Sequence, residues 1–268
     1  MTRVRATAAV LLVLAGATFA LTKVAQAGEP PIVRPADEAG RSQLELGAQL
    51  YAANCATCHG TDGRGIGPPG NTQGATDVVG LGPSLHGVGA LAADFYLRTG
   101  YMPLGDPHHQ PERSRPQFSD PEIQALVRYV ASLGAGPPIP QPDPAAGSVA
   151  DGRELFTEHC AGCHQVVAEG GILTGAKAPP LDKATPRQIA EAVRIGPYVM
   201  PMFSRTAISD DELNSIIAYV QYAKNPRDEG GWGINHLGPF SEGIVAWFIG
   251  ALVLVAVCML IGERVRRA

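Results

Sequence analysis

The sequence contains the pentapeptide Cys55-Ala56-Thr57-Cys58-His59 and, about a hundred residues later, the related pentapeptide Cys160-Ala161-Gly162-Cys163-His164. Each follows the same helical pattern, which reads Gly47-x-x-Leu50-Tyr51 before the first and Gly152-x-x-Leu155-Phe156 before the second. Self-similarity along a chain indicates a repeated structural unit. The sequence therefore predicts two copies of one small domain.

Each copy also ends in a predicted amphipathic helix. Ser119 and Ser209 are candidate N-caps, and Glu122 and Glu212, three residues later, complete a capping box. Apolar residues then recur at helical spacing, at positions 123, 126, 127 and 130 in the first copy and 213, 216, 217 and 220 in the second. Each copy thus runs from a helix through the cysteine motif and an irregular segment to a capped helix, and the predicted fold class is all-α.

The composition between these landmarks predicts the domain boundaries. The two domains are expected at residues 43–134 and 149–224, joined by residues 135–148, whose prolines indicate a semi-extended spacer. Residues 28–42 and 225–243 are polar and rich in proline and glycine, and they are predicted to be tethers.

Apolar segments lie near both ends of the chain. Residues 244–262 contain no charged side chain and are long enough to cross a hydrocarbon core of about 30 Å, which predicts a transmembrane helix. The basic tail at 263–268 is expected in the cytoplasm by the positive-inside rule. Residues 1–27 fit either a secretory signal peptide ending in Ala-Gln-Ala or a retained transmembrane helix. Both alternatives place the two domains on the extracytoplasmic side of the cell membrane.

The amino-acid composition and the net charge limit the classes of function that the protein can have. The 268 residues include 32 glycines and 23 prolines, and only 6% are aromatic, which favours small, loop-rich domains with limited apolar side-chain mass of their own. The formal net charge of −4 argues against a nucleic-acid partner.

A Cys-x-x-Cys pair followed directly by histidine is typical of covalent haem c attachment. Both thiols can add to the vinyl groups of one porphyrin, and the histidine that follows can ligate the iron. A Cys₄ zinc site would require neither His59 nor His164, and a thioredoxin-like dithiol would need a βαβ context that the sequence lacks. We therefore predict two covalently bound haem c groups, attached through Cys55, Cys58, Cys160 and Cys163.

Methionines supply the candidate second axial ligands. Aligning the two copies on Arg-x-Gly and Met-Pro makes Met102 and Met200 equivalent, and Met202 is the alternative in the second copy. A thioether is a soft, neutral ligand that raises the potential of a haem iron. The predicted iron ligands are therefore His59 with Met102, and His164 with Met200.

Each copy resembles a class I cytochrome c, on the strength of the Gly-x-x-Leu-aromatic helix, Cys-x-x-Cys-His, a Gly-Pro-x-Leu-type segment and Met-Pro. The resemblance implies that Pro83 and Pro179 lie beside the two histidines, their carbonyls orienting the imidazole rings. It also implies that an aromatic pair packs where the first and last helices of each domain cross, Tyr51 with Tyr129 and Phe156 with Tyr219.

As a whole, two tandem cytochrome c domains followed by a transmembrane helix resemble the dihaem cytochrome cc subunit of the actinobacterial menaquinol–cytochrome c reductase, the cytochrome bcc complex. This resemblance implies a respiratory electron carrier with a Rieske iron–sulfur subunit, a cytochrome b subunit and an aa3-type cytochrome c oxidase as partners. It also implies that the chain serves a quinol-oxidising enzyme as its electron-transfer subunit, without a substrate-transforming site of its own.

Two alternatives remain open from the sequence. A dihaem peroxidase would need one iron with an open position, and the Met-Pro pair in both copies argues against this. A dihaem cytochrome that serves another oxidase or a dehydrogenase would have the same residues with different partners.

Overall fold

A computed structural model describes residues 31–36, 40–66, 82–105, 110–226 and 239–267. The predicted signal peptide or N-terminal anchor at 1–27 lies outside the described residues, as do parts of the tethers predicted at 28–42 and 225–243.

The first repeat contains four helices: α1 (Gln43–Asn54), α2 (Ala56–His59), α3 (Gly89–Arg98) and α4 (Asp120–Ser132). Helices α1 and α4 cross closely because Gly47 lies at the crossing, where a Cβ atom would overlap the carbonyl oxygen of Ala125. The rings of Tyr51 and Tyr129 stack beside this crossing with centroids 5.0 Å apart, as expected. The helix crossing in the first copy thus depends on one small residue and one aromatic pair.

The second repeat contains α5 (Val149–His159), α6 (Ala161–His164), α7 (Pro186–Ile195) and α8 (Asp210–Lys224). Gly152 fills the role of Gly47, since a Cβ atom there would overlap the carbonyl oxygen of Ser215 on α8. Phe156 and Tyr219 pack with ring centroids 5.4 Å apart. Each repeat has its own cluster of buried apolar side chains, so the two repeats are separate domains with one core each.

The prediction of an all-α fold is confirmed, with one small addition. A hairpin of two short strands, β1 (Gly171–Leu173) and β2 (Ala176–Ala178), lies between α6 and α7, with Gly171 opposite Ala178. The predicted capping box at Ser209 is present, because the Ser209 hydroxyl accepts from the Glu212 amide and the Glu212 carboxylate accepts from the Ser209 amide. At the start of α4, the Glu122 carboxylate likewise accepts from the Ser119 amide.

The proline-rich spacer is bound to both domains along its length. The Pro137 carbonyl accepts from the Leu91 amide of the first domain at 3.2 Å. Further on, the Asp143 amide donates to the Asn214 side chain of the second domain at 2.8 Å, just before a single 3₁₀ turn at Pro144–Ala146. Proline has no backbone N–H, so a proline-rich segment forms no regular series of hydrogen bonds within its own backbone. The other carbonyls and amides of the spacer are therefore available for these contacts.

Helix α9 (Pro239–Arg267) follows the second domain, and its apolar side chains are exposed. Among the described residues it is the one helix long and apolar enough to cross a membrane, over Glu242–Arg267. It extends beyond the predicted span of 244–262 at both ends. At its C-terminal end, Glu263 and Arg267 form an ion pair one turn apart, which supports helical structure past the apolar stretch.

Candidate functional site

The two cysteine motifs adopt the same backbone turn. Helix α1 ends at Cys55, whose amide donates to the Tyr51 carbonyl at 2.8 Å, and the His59 amide then donates to the Cys55 carbonyl at 2.9 Å. In the second domain the corresponding bonds, from Cys160 to Phe156 and from His164 to Cys160, have the same lengths of 2.8 and 2.9 Å. This single helical turn brings each histidine onto the same side as the first cysteine of its motif.

None of the four motif cysteines forms a disulfide. The first of each pair, Cys55 and Cys160, is half-buried, whereas the second, Cys58 and Cys163, is exposed. Burial raises the pKa of Cys55 to about 12 and that of Cys160 to about 11, with the neighbouring cysteine adding to the effect.

Each motif histidine is bound by a proline carbonyl, as the cytochrome c resemblance implied. Nδ1 of His59 lies 2.8 Å from the Pro83 oxygen, and Nδ1 of His164 lies 3.1 Å from the Pro179 oxygen. A carbonyl can only accept, so Nδ1 carries the proton in both rings and Nε2 keeps its lone pair. Burial lowers the pKa of both histidines, which keeps the rings neutral. Both are prepared to ligate a metal through Nε2.

Close backbone approach makes the histidine–proline contact possible in the first domain. The Gly82 amide donates to the Cys58 carbonyl at 2.8 Å, and a Cβ atom on Gly82 would overlap that oxygen and come within 2.9 Å of Nδ1 of His59. Ala178 stands at the corresponding place in the second domain, where Gly171 of the hairpin makes the close approach to the Cys163 carbonyl instead. A Cβ atom on Gly171 would lie 3.0 Å from that oxygen.

The candidate methionine ligands differ in their surroundings. Met102 packs against the core cluster of the first domain together with Cys55 and Leu85, and Met200 packs against that of the second together with Cys160 and Leu181. Met202 is 67% exposed. Burial thus favours Met200 over Met202 as the partner of His164, and the assignment of both methionines stays a prediction.

The donor set of each domain fits a covalently attached haem. Two thiols, a neutral imidazole with a free Nε2 and a thioether come from elements that share one apolar cluster, which is the ligand chemistry of His/Met haem sites. No group of three or more histidine, cysteine or acidic side chains that could hold another metal ion occurs within the described ranges.

Sequence reasoning missed the contact between the two domains. Helices α3 and α7 pack against each other, and Asp94 and Glu191 are buried there, 2% and 0% exposed. Arg113 donates to the Gln188 side chain across the same boundary at 2.8 Å. Each of these acids lies on the apolar face of its helix. An acidic residue among the apolar positions of an amphipathic helix is the signal in the sequence that could have indicated the contact.

Comparison with known proteins agrees with the two-domain structure. Residues 44–134 match the family model described as "Cytochrome c", and residues 147–220 match that described as "Cytochrome C oxidase, cbb3-type, subunit III". The chain is 36% identical to the cytochrome bc1 complex cytochrome c subunit of Corynebacterium diphtheriae, covering 98% of this chain and 96% of that protein.

A second relative lies in another genus. The chain is 36% identical to the cytochrome bc1 complex cytochrome c subunit of Mycobacterium tuberculosis, over 95% of this chain and 90% of the relative. Similarity to the cbb3-type cytochrome c oxidase subunit CcoP of an Azospirillum species is more distant, at 28% identity over 77% of this chain and 70% of that protein.

Proposed function

Since this chain belongs to the family of cytochrome bc1 complex cytochrome c subunits, electron transfer within a bc1-type complex is its role, and we propose that it uses two haem c groups to pass electrons from a Rieske iron–sulfur subunit to an aa3-type cytochrome c oxidase. In this proposal a cytochrome b subunit of the same complex oxidises menaquinol, and the chain itself transforms no substrate.

The observation that carries the proposal is the bond between a motif histidine and a proline carbonyl, present in both domains. A metal-binding histidine is usually held in this way through its other ring nitrogen, which fixes the tautomer and makes the ligating nitrogen more basic. The repetition of the bond supports two haem sites in one chain. In the proposed domains, 43–134 and 149–224, the residues that would hold the two haem groups come from equivalent places: Cys55, Cys58, His59 and Met102 in the first, and Cys160, Cys163, His164 and Met200 in the second.

The protein's part in the function is to hold each haem group and to tune its reduction potential. When bound, each haem supplies an iron that alternates between the ferrous and ferric states. Pro83 and Pro179 hold the histidine rings through their carbonyls, and Met102 and Met200 pack against the apolar clusters of their domains. Together, a histidine and a methionine would complete the coordination of a bound haem iron, which favours electron transfer over peroxide chemistry.

Membrane attachment supports the same function. We propose that α9 spans the cell membrane, with Arg264, Arg266 and Arg267 in the cytoplasm and both domains on the other side. A tethered carrier stays at a high local concentration near its donor and acceptor, so electrons need not wait for a diffusing protein.

Purification in mild detergent tests the proposed partners. A tagged full-length chain should bring cytochrome b, the Rieske subunit and the aa3-type oxidase with it, and menaquinol should reduce its haem in that preparation. As a control, the double variant Cys160→Ser/Cys163→Ser, which cannot attach a haem to the second motif, should transfer fewer electrons from menaquinol to the oxidase than the unaltered chain. A full-length chain that purifies without cytochrome b, or with another dehydrogenase or oxidase, would contradict the proposal.

A further inference from the structure

The contact between the two domains is made by equivalent helices of the repeat. Helices α3 and α7 pack against each other, and each ends in the same Arg-x-Gly pattern, at Arg98 and Arg194. Polar side chains extend the contact on one side, where the amide group of Gln110 bonds with both the N–H and the carbonyl of Lys177, at 2.8 and 2.7 Å. The two domains are thereby held in one arrangement by groups that do not belong to either cysteine motif.

Two acidic side chains are buried at this contact, one from each domain. Asp94 of α3 is 2% exposed and Glu191 of α7 is fully buried. Arg98 donates through Nε to Oδ1 of Asp94 at 2.8 Å. Within the described part of the chain, Oδ2 of Asp94 and both oxygens of Glu191 receive no hydrogen bond from any N–H or hydroxyl group. The carboxyl of Glu191 lies within hydrogen-bonding reach of Asp94.

One proton on this pair of carboxyl groups removes the repulsion between them. Two ionised carboxylates side by side in a buried site repel each other, whereas one proton converts the repulsion into an O–H···O⁻ hydrogen bond. Arg98 is the nearest compensating cation, but it is shared with Asp120, to which it donates at 2.6 Å. Arg187 also attracts the charge on Glu191, more strongly than Arg98 does. Asp94, which keeps the Arg98 contact, is thus the carboxylate, and Glu191 is the carboxylic acid.

The pKa of Glu191 agrees with this assignment. Burial, followed by the charge of Asp94, raises the pKa of Glu191 to about 9, and the opposing effects of Arg187 and Arg98 are smaller. The groups that face the pair are Asp94 and Arg98 from α3, Asp120 from α4, and Arg187 with the neutral Gln188 from α7.

The fold of a single domain does not require either acid. When Arg98 is aligned with Arg194, Asp94 falls on Ala190 and Glu191 falls on Phe95. Both of these counterparts are buried and apolar. A carboxyl group at such a position costs stability unless something at the domain contact compensates for it. The two acids therefore belong to the contact, not to the shared fold.

We propose that a proton shared between Asp94 and Glu191 closes the contact between the two domains, so that this pair positions the two haem groups relative to each other and the contact loosens as the pH rises. This proposal depends on the proposed function in one respect only, which is the presence of the haem groups whose relative position the contact sets. Opening ionises Glu191 and releases its proton to the solvent, and closing takes one proton up.

The direction and the steepness of the pH dependence follow from the linkage between proton binding and closure of the domain contact. In the open arrangement Glu191 has its ordinary pKa of 4.5, and in the closed one it has the raised value of about 9. A raised pKa means that the stabilising effect is complete below the open-state value and is lost as the pH rises towards the closed-state value. Between these limits the ratio of open to closed protein is expected to increase by up to about tenfold per pH unit.

Infrared spectroscopy of the full-length, haem-loaded chain tests the shared proton. At pH 7.5, where exposed carboxyl groups are ionised, the chain should show a protonated carboxyl band. Glu191→Gln should remove the band, because the proton that gives rise to it is on this side chain. The control Glu112→Gln removes an exposed acid at the same contact, 3.8 Å from Lys177, and should keep the band. A band absent from the unaltered chain, or unchanged in Glu191→Gln, would overturn the proposal.

Amide exchange tests the loosening of the contact. The Lys177 amide donates to Gln110 of the other domain, so its protection from exchange reports opening. Between pH 5 and 8 the protection factor should fall by up to about tenfold per pH unit in the unaltered chain and stay constant in Glu191→Gln, whose amide replaces the proton. The same pH dependence in both chains would contradict the proposal. Protection of the Lys177 amide that requires calcium would also contradict it, because it would indicate a cation between the two carboxyl groups. Neither measurement depends on the redox partners, so a failure of the proposed function would appear separately.

Discussion

Nδ1 of His59 lies 2.8 Å from the carbonyl oxygen of Pro83. The contact joins two segments that are far apart in sequence, and it leaves the other ring nitrogen free at the end of the cysteine motif. The second domain repeats it between its own motif histidine and a proline carbonyl at 3.1 Å. The proposed function depends on this arrangement, because it prepares an imidazole to ligate iron on a turn that carries two cysteines.

The choice of methionine ligand can be tested in the second domain. Met200→Ala removes a soft, neutral ligand, so the haem should stay covalently attached while its reduction potential falls by a sizeable part of the roughly 0.8 V range that axial ligands span. The control Met202→Ala changes a side chain that is 67% exposed and should leave the potential unaltered. Spectroelectrochemical titration measures both. The reverse pattern would assign Met202 as the ligand.

The equivalent change in the first domain is Met102→Ala. Because Met102 packs against the same apolar cluster as Cys55, its loss should lower the potential of the first haem alone. The same titration should show one shifted and one unshifted haem. A potential that stays constant would show that Met102 is not an iron ligand.

The helix crossing in the second domain depends on a glycine. In Gly152→Ala the new methyl group would overlap the Ser215 carbonyl oxygen on α8, so the crossing must widen. We expect a loss of about 1–3 kcal/mol in the free energy of unfolding, measured by denaturant titration of the haem-loaded chain. The control Gly162→Ala lies in the cysteine motif with nothing within 4 Å of the added atom, and Thr57 occupies the equivalent place in the first domain. Equal stability losses in the two variants would contradict the packing explanation.

Acid sensitivity should appear in the first domain through Glu122. Burial raises the pKa of this carboxyl, but the hydrogen bonds from Arg34 and Ser119 lower it further, and the net pKa lies below the ordinary 4.5. A lowered pKa means that the stabilising effect is present above pH 4.5 and is lost as the pH falls through the folded-state value.

Glu122→Gln keeps the acceptor for the Ser119 amide and removes the charge that pairs with Arg34. It should therefore cost about 1 kcal/mol at pH 7 and progressively less in acid, as measured by thermal unfolding from pH 7 to pH 3. Glu212→Gln is the matched control, because Glu212 occupies the equivalent capping box at the start of α8. A stability difference that is independent of pH would show that the charge of Glu122 is not the cause.

The sequence contained the repeat, the cysteine motifs, both capped helices and the apolar C-terminal segment, because each depends on residues close together in the chain. The aromatic pairs and the proline carbonyls followed from the resemblance to cytochromes c. The hairpin at 171–178 did not, because short strands without alternating side chains leave no periodic pattern. The domain contact was also missed, since the pairing of Asp94 with Glu191 depends on how two folded units meet.

Counting covalently attached porphyrins by mass spectrometry of the denatured, full-length chain tests the central claim most directly. The unaltered chain should carry two haem groups, and the double variant Cys160→Ser/Cys163→Ser should carry one, at the motif that contains Cys55 and Cys58. A denatured chain whose mass includes no porphyrin, or only one, would contradict the account.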